Sequence, residues 1–219
     1  LNSLQAGMVV GAVPIGAVGG AWFASYGADR YGRRTLILFS AAIFIAGAVV
    51  SALAPDSFVL IVSRVVIGAG IGVASAVAPV YISELAPADI RGSLVTFFQL
   101  AVTVGILVAY LVGLAFTDVD EGWRWMLGLG ALPAIILAVG IIRLPRSPRW
   151  LMMQSDAEGA KKALERVRPA GPEAIDLEIQ QIRESTGPDT SRWGDLRAPA
   201  VKAALLVGIG LAVLQQITG

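Results

Sequence analysis

Residues 1–34 read LNSLQAGMVVGAVPIGAVGGAWFASYGADRYGRR, a run without charge as far as residue 28, followed by Asp29, Arg30, Arg33 and Arg34. A second uncharged run, residues 35–55, begins at once. A helix that is apolar on every side belongs in a core or in lipid, and roughly 18 to 25 apolar residues suffice to cross a ~30 Å hydrocarbon layer. The pattern recurs: residues 92–117 and 125–142 carry no charge, while 57–83 and 198–219 hold one cation each, Arg64 and Lys202. Six transmembrane helices are therefore predicted, at 7–26, 36–54, 58–82, 93–116, 125–142 and 199–219. The fold class is an all-α membrane protein.

Composition agrees. Hydrophobic residues make up 56% and charged residues 15%, with a mean hydropathy of +0.72, whereas soluble domains carry about 25% charge. There is no Cys and no His, which removes disulfides, thiolate chemistry, Cys/His metal sites and a histidine base. No nucleophile–base pair or metal constellation lies in or near the spans, so an enzyme is not expected, nor any cofactor. A net charge of +1 without a basic stripe gives no footprint for nucleic acid. Leu1 is not an initiator Met, no basic segment precedes the first span, and the last apolar run stops without a cap. Truncation at both ends is the expectation.

The cations set the orientation. Of the 17 Lys and Arg, all but Arg64 and Arg124 fall on one side of the predicted spans. The positive-inside rule makes that side cytoplasmic, placing loops 27–35, 83–92 and 143–198 inside the cell membrane and Asp56, Asp118, Asp120 and Glu121 outside. Trp123 and Trp125 fit an interfacial belt. The long segment 143–198 is expected to hold short amphipathic helices starting near Asp156, Pro172 and Ser191, against the alternative of a solvated linker. Gly7, Gly11, Gly16 and Gly20 in the first span, and Gly68, Gly70 and Gly72 in the third, permit close helix packing.

Three charged segments carry a resemblance. Asp29-Arg30-Tyr31-Gly32-Arg33-Arg34 is similar to the loop signature G-x-x-x-D-R-x-G-R-R of the major facilitator superfamily, with Ser25 in place of the first Gly. Glu84 to Gly92 resembles the link E-x-x-P-x-x-x-R-G of its sugar porters, and Pro145-Arg146-Ser147-Pro148-Arg149-Trp150-Leu151 resembles P-E-S-P-R-W-L, with Arg146 where that family has Glu. Gln215-Gln216-Ile217-Thr218-Gly219 is similar to the start of its Q-Q-x-x-G-x-N segment.

The resemblance implies a major facilitator bundle and a domain plan. Residues 1–142 would be helices two to six of the N-terminal bundle, 143–198 the cytoplasmic linker and 199–219 the first helix of the C-terminal bundle. It implies sugar transport by alternating access between two rocking bundles, with the lipid bilayer as surroundings and protons as coupling ion. A facilitated uniporter, a drug–proton antiporter and a transporter-like nutrient sensor are the rivals. The antiporter's G-P-x-x-G-G signature is missing from residues 92–116, which contain no Pro.

Amides both donate and accept, as sugar hydroxyls do, and suit a cavity where an unpaired polar group is costly. Gln99 lies about 12 Å along its helix from Arg91, and Gln215 and Gln216 ~20 Å beyond Lys202, depths that suit a central site. By resemblance these three contact sugar, against the alternative that they bond neighbouring helices; Ile106 is expected as an apolar wall. An ionisable residue in a span is a functional hypothesis by default, and resemblance assigns Arg64 to proton coupling. Asp29, Arg30, Gly32, Arg33, Arg34, Glu84, Arg91 and Arg149 would form the cytoplasmic gate.

Overall fold

The computed structural model describes residues 2–87, 89–168, 171–185 and 199–218, and every regular element among them is an α-helix. Helices α1 (Ser3–Tyr31), α2 (Arg33–Ala52), α3 (Ser57–Leu85) and α4 (Arg91–Ala115) are continuous, while α5 (Gly122–Leu129) and α6 (Ala131–Arg143) make up a fifth, broken one. All five are long and apolar enough to cross a membrane. Three shorter helices follow, α7 (Pro148–Met153), α8 (Ala157–Val167) and α9 (Pro172–Ser185), and the sixth expected span is α10 (Pro199–Thr218). The insert helix expected from Ser191 lies outside the described residues.

The sequence reading departs from the structure in three places. Helices α1 and α2 run on past the apolar stretch until only Gly32 separates them, because charged residues continue a helix freely once it has left the hydrocarbon. The fifth span breaks at Gly130. Pro133, three residues on, has no N–H for the Leu129 carbonyl and its ring crowds that carbonyl. Helix α7 is additional to the three expected insert helices. Ser147 caps it, its hydroxyl accepting from Trp150 N–H, and Pro148 occupies the first turn where no N–H is needed.

The chain divides into two compact units, Leu1–Ile182 and Arg183–Gly219. In the second, α10 presents Leu206, Val207 and Ile209 on its surface. In the first, α3 is central, with α1 and α2 against it and α5 and α6 against α2. The α1–α3 seam is made by backbone. A Cβ at Gly16 or Gly20 would stand 2.0 or 2.1 Å from the carbonyl oxygen of Val65 or Ala69, and one at Gly68 or Gly72 would meet those of Val13 and Ala17 at 2.1 and 2.0 Å. Each helix thus contributes a Gly-xxx-Gly pair to the other's carbonyls, the close approach that substitutes for a hydrophobic driving force in lipid. Between α2 and α3 the glue is polar. Buried Ser63 donates to Leu60 O, so Ser51 donates to the Ser63 hydroxyl at 2.7 Å.

Helix α4 buries no side chain in this unit. At one end of the bundle, by contrast, Ala24, Leu36, Ile37, Val73, Val77, Tyr81 and Ile141 pack into one cluster drawn from α1, α2, α3 and α6. That convergence brings the charged segments together.

Candidate functional site

Gly32 sits at φ +85° and ψ 149°, an essentially glycine-only region that costs any residue with a Cβ on the order of 1–3 kcal/mol. It also lies flat beneath Trp150, whose ring a Cβ would meet at 3.0 Å. The sharp turn places Arg33 behind the end of α1. There its guanidinium donates to Ala28 O at 3.0 Å and pairs with Asp29 Oδ1 at 3.0 Å and Glu84 Oε2 at 3.2 Å. The Arg33 and Glu84 side chains are only 9% and 8% exposed. Taking both charges from water costs several kcal/mol each, so the pair depends on further hydrogen bonds to its free lone pairs. Ser147, itself 1% exposed, supplies one by donating to Glu84 Oε2 at 2.6 Å. Trp150 Nε1 donates to Asp29 O at 2.9 Å and Tyr81 donates to Pro145 O at 2.6 Å. The three segments singled out in the sequence therefore meet on one buried carboxylate.

Arginines also finish the helices. The last carbonyls of a helix lack intrahelical donors and carry the negative end of its dipole. Arg33 donates to α1, and Arg34 to Ile141 O and Ile142 O of α6. Arg168 donates to Leu85 O and Ala86 O at the end of α3. At the opposite end of the bundle Arg124 donates to Ala52 O and Ala54 O where α2 stops, pairs with Glu121 and lies 4.4 Å from the Trp123 ring centroid. In the insert, Lys161 is held above the ordinary lysine pKa by its hydrogen bond to Asp176, and Lys162 likewise by Glu158.

The other expected residues are more dispersed. Arg30 rests over Tyr31 at 5.6 Å and Arg146 over Trp150 at 5.5 Å. Arg91 and Arg149 are exposed and make no ion pair among the described residues. Gln99 is exposed on α4, where Thr103 bonds its backbone carbonyl and its amide has no partner among the described residues. Ile106, two turns on, lines a groove of about 590 Å³ with Tyr110 and Leu114. Arg64 is half-buried beside a cavity of about 650 Å³ with Asp56, Trp123 and Arg124, and its Nε is buried without a hydrogen bond among the described residues. Gln215 and Gln216 fall within α10, with side chains outside the described part.

Sequence reading missed Ser147, Tyr81, Arg168 and Glu178. Ser147 had a visible signal, a hydroxyl immediately before a proline that opens a helix. Arg168 had none, since its carbonyl partners lie more than 80 positions away.

Residues 2–219 match the family described as Sugar (and other) transporter. The chain is 43% identical over 219 residues to a D-xylose transporter of Levilactobacillus brevis, covering all of this chain and 48% of that protein. It is 42% identical over 213 residues to a galactose-proton symporter of Escherichia coli, covering 97% and 44%. It superposes on the structure of the proton:xylose symporter XylE bound to 6-bromo-6-deoxy-D-glucose with a TM-score of 0.78 and 30% identity, over 83% of this chain and 43% of that one. The chain thus spans less than half the length of these relatives.

Proposed function

The chain belongs to the family of sugar (and other) transporters of the major facilitator superfamily, a family of transporters and not enzymes, and on that premise we propose that it serves transport of a monosaccharide or similar polyol. The mechanism is alternating access, coupled to proton symport. The observation that carries the reading is the meeting of three segments on Glu84: the turn after α1, the end of α3 and the start of α7. A rocking-bundle transporter needs the helices of one half to move as a body and one end of the cavity to close by reversible charge contacts. Arg33, Asp29, Glu84 and Ser147 bind the ends of α1, α2, α3 and α7 to one another. Exposed Arg30, Arg91 and Arg149 are the cations such an end offers to a second bundle, with Gly32 setting the turn and Arg34 tying α2 to the end of α6. By the positive-inside rule this end is cytoplasmic.

Sugar is supported by the relatives, two of which are named for xylose and one for galactose, and by the Gln99 amide, which has no partner among the described residues. Proton coupling is supported by the two named as proton symporters and by half-buried Arg64, whose Nε has no hydrogen-bond partner among the described residues. The test is uptake of labelled D-xylose, D-glucose and D-galactose by full-length protein in proteoliposomes. Saturable accumulation above equilibrium under an inward proton gradient, abolished by a protonophore, is expected. Uptake that only equilibrates makes the protein a uniporter, and absence of uptake for any sugar overturns the reading.

A further inference from the structure

Arg168 follows the last residue of α8, yet its side chain is only 7% exposed. The guanidinium has its two halves turned to different elements. Toward α9, Nε and Nη2 grip both carboxylate oxygens of Glu178 at 3.1 and 2.8 Å. Toward α3, Nη1 donates to Leu85 O at 2.5 Å and Nη2 to Ala86 O at 3.2 Å. Leu85 is the last helical residue of α3 and Ala86 its C-cap, so neither carbonyl has a donor within the helix. Glu84, the carboxylate on which Arg33 and Ser147 converge, immediately precedes them.

We propose that Arg168 is a positioning residue for the gate: anchored by Glu178, it fixes the end of α3 so that the Glu84 carboxylate stays on Arg33 and Ser147. The insert thereby holds Glu84 twice, once at its carboxylate through Ser147 and once at its backbone through Arg168. A planar guanidinium is required, since a lysine ammonium has no fork with which to meet a carboxylate and two carbonyls together. The inference rests on the proposed gate, but the local geometry is measurable without transport.

The experiment is hydrogen–deuterium exchange on the full-length protein and its Arg168→Lys, Arg168→Ala and Glu178→Gln variants, combined with sugar uptake. Amides of 82–91 and of 29–36 are expected to exchange roughly fivefold faster in Arg168→Lys, and about half as much faster in Glu178→Gln, which keeps the bonds to the carbonyls. Turnover should change while KM for the sugar does not, because Arg168 lies at the gate end. Faster exchange confined to 157–185, with 82–91 and 29–36 as in the parent protein, would mean that Arg168 only holds the insert together and overturns the proposal. Arg168→Lys is the decisive variant if Arg168→Ala does not fold. Altered exchange at 82–91 and 29–36 in a protein that moves no sugar would retain the positioning role and remove the transport reading alone.

Discussion

Glu84 shows how one residue's environment decides its consequences. Its carboxylate is shared by a buried arginine and a buried hydroxyl. Glu84→Gln keeps the shape but leaves Arg33 with only the exposed Asp29 for charge. Breaking a buried pair from one side costs about 3–5 kcal/mol, and a thermal melt of the full-length variant should show that as a drop of several degrees. Ser147→Ala removes both a hydrogen bond to the carboxylate and the α7 cap, for a loss of about 1–3 kcal/mol. Gln99 is the opposite case. Its amide has no partner among the described residues, so Gln99→Ala should leave the melting temperature nearly unchanged while weakening sugar binding by about 1–3 kcal/mol, the cost of an unmade bond in a desolvated site. Normal sugar affinity with a lowered melting temperature would mark a packing bond to another helix and dismiss the substrate role.

At the scale of helices, glycines of equal appearance have unequal roles. Gly11 and Gly68 both lie in apolar spans at small-xxx-small spacing, yet a Cβ at Gly11 meets nothing within 4 Å and one at Gly68 meets the Val13 carbonyl at 2.1 Å. That contact is with backbone, so no rotamer change relieves it; α1 and α3 must move apart and lose packing along the whole seam. Gly68→Ala should lower detergent stability by about 1–3 kcal/mol, whereas Gly11→Ala should be neutral or slightly stabilising through helix propensity. Comparable melting curves for the two variants would contradict the seam. The arginine caps act at the same scale, since Arg34, Arg124 and Arg168 each tie the end of one helix to a different element.

For the whole molecule, the two ends of the first unit differ in chemistry. At the end that the cation count makes cytoplasmic, three segments converge on the buried Arg33–Glu84 pair; at the other, Arg124 closes α2 and half-buried Arg64 borders an open cavity without an ion pair among the described residues. If Arg64 serves proton linkage, Arg64→Ala in the full-length protein should reduce uphill accumulation several-fold while sparing equilibrium exchange, since only the former needs a coupled ion. Gln99→Ala should lower both. Equal loss of both activities in Arg64→Ala would assign it to general architecture instead.

The amino-acid sequence by itself determined the fold class and the five apolar helices of the first unit, because each depends on quantities local in the chain. Span length follows from uncharged runs such as 35–55, and the expected orientation from which loops carry Arg. It also marked Asp29, Arg33 and Glu84 through the spacing of their motifs. It did not separate Gly68 from Gly11, because which helix approaches a glycine is a matter of packing. It did not show that Arg34 would close α6 rather than join an ion pair, or that Arg168 would reach the end of α3. Those contacts join residues between about 80 and 110 positions apart, and only the folded bundle brings such distant donors to carbonyls that a helix end leaves unbonded.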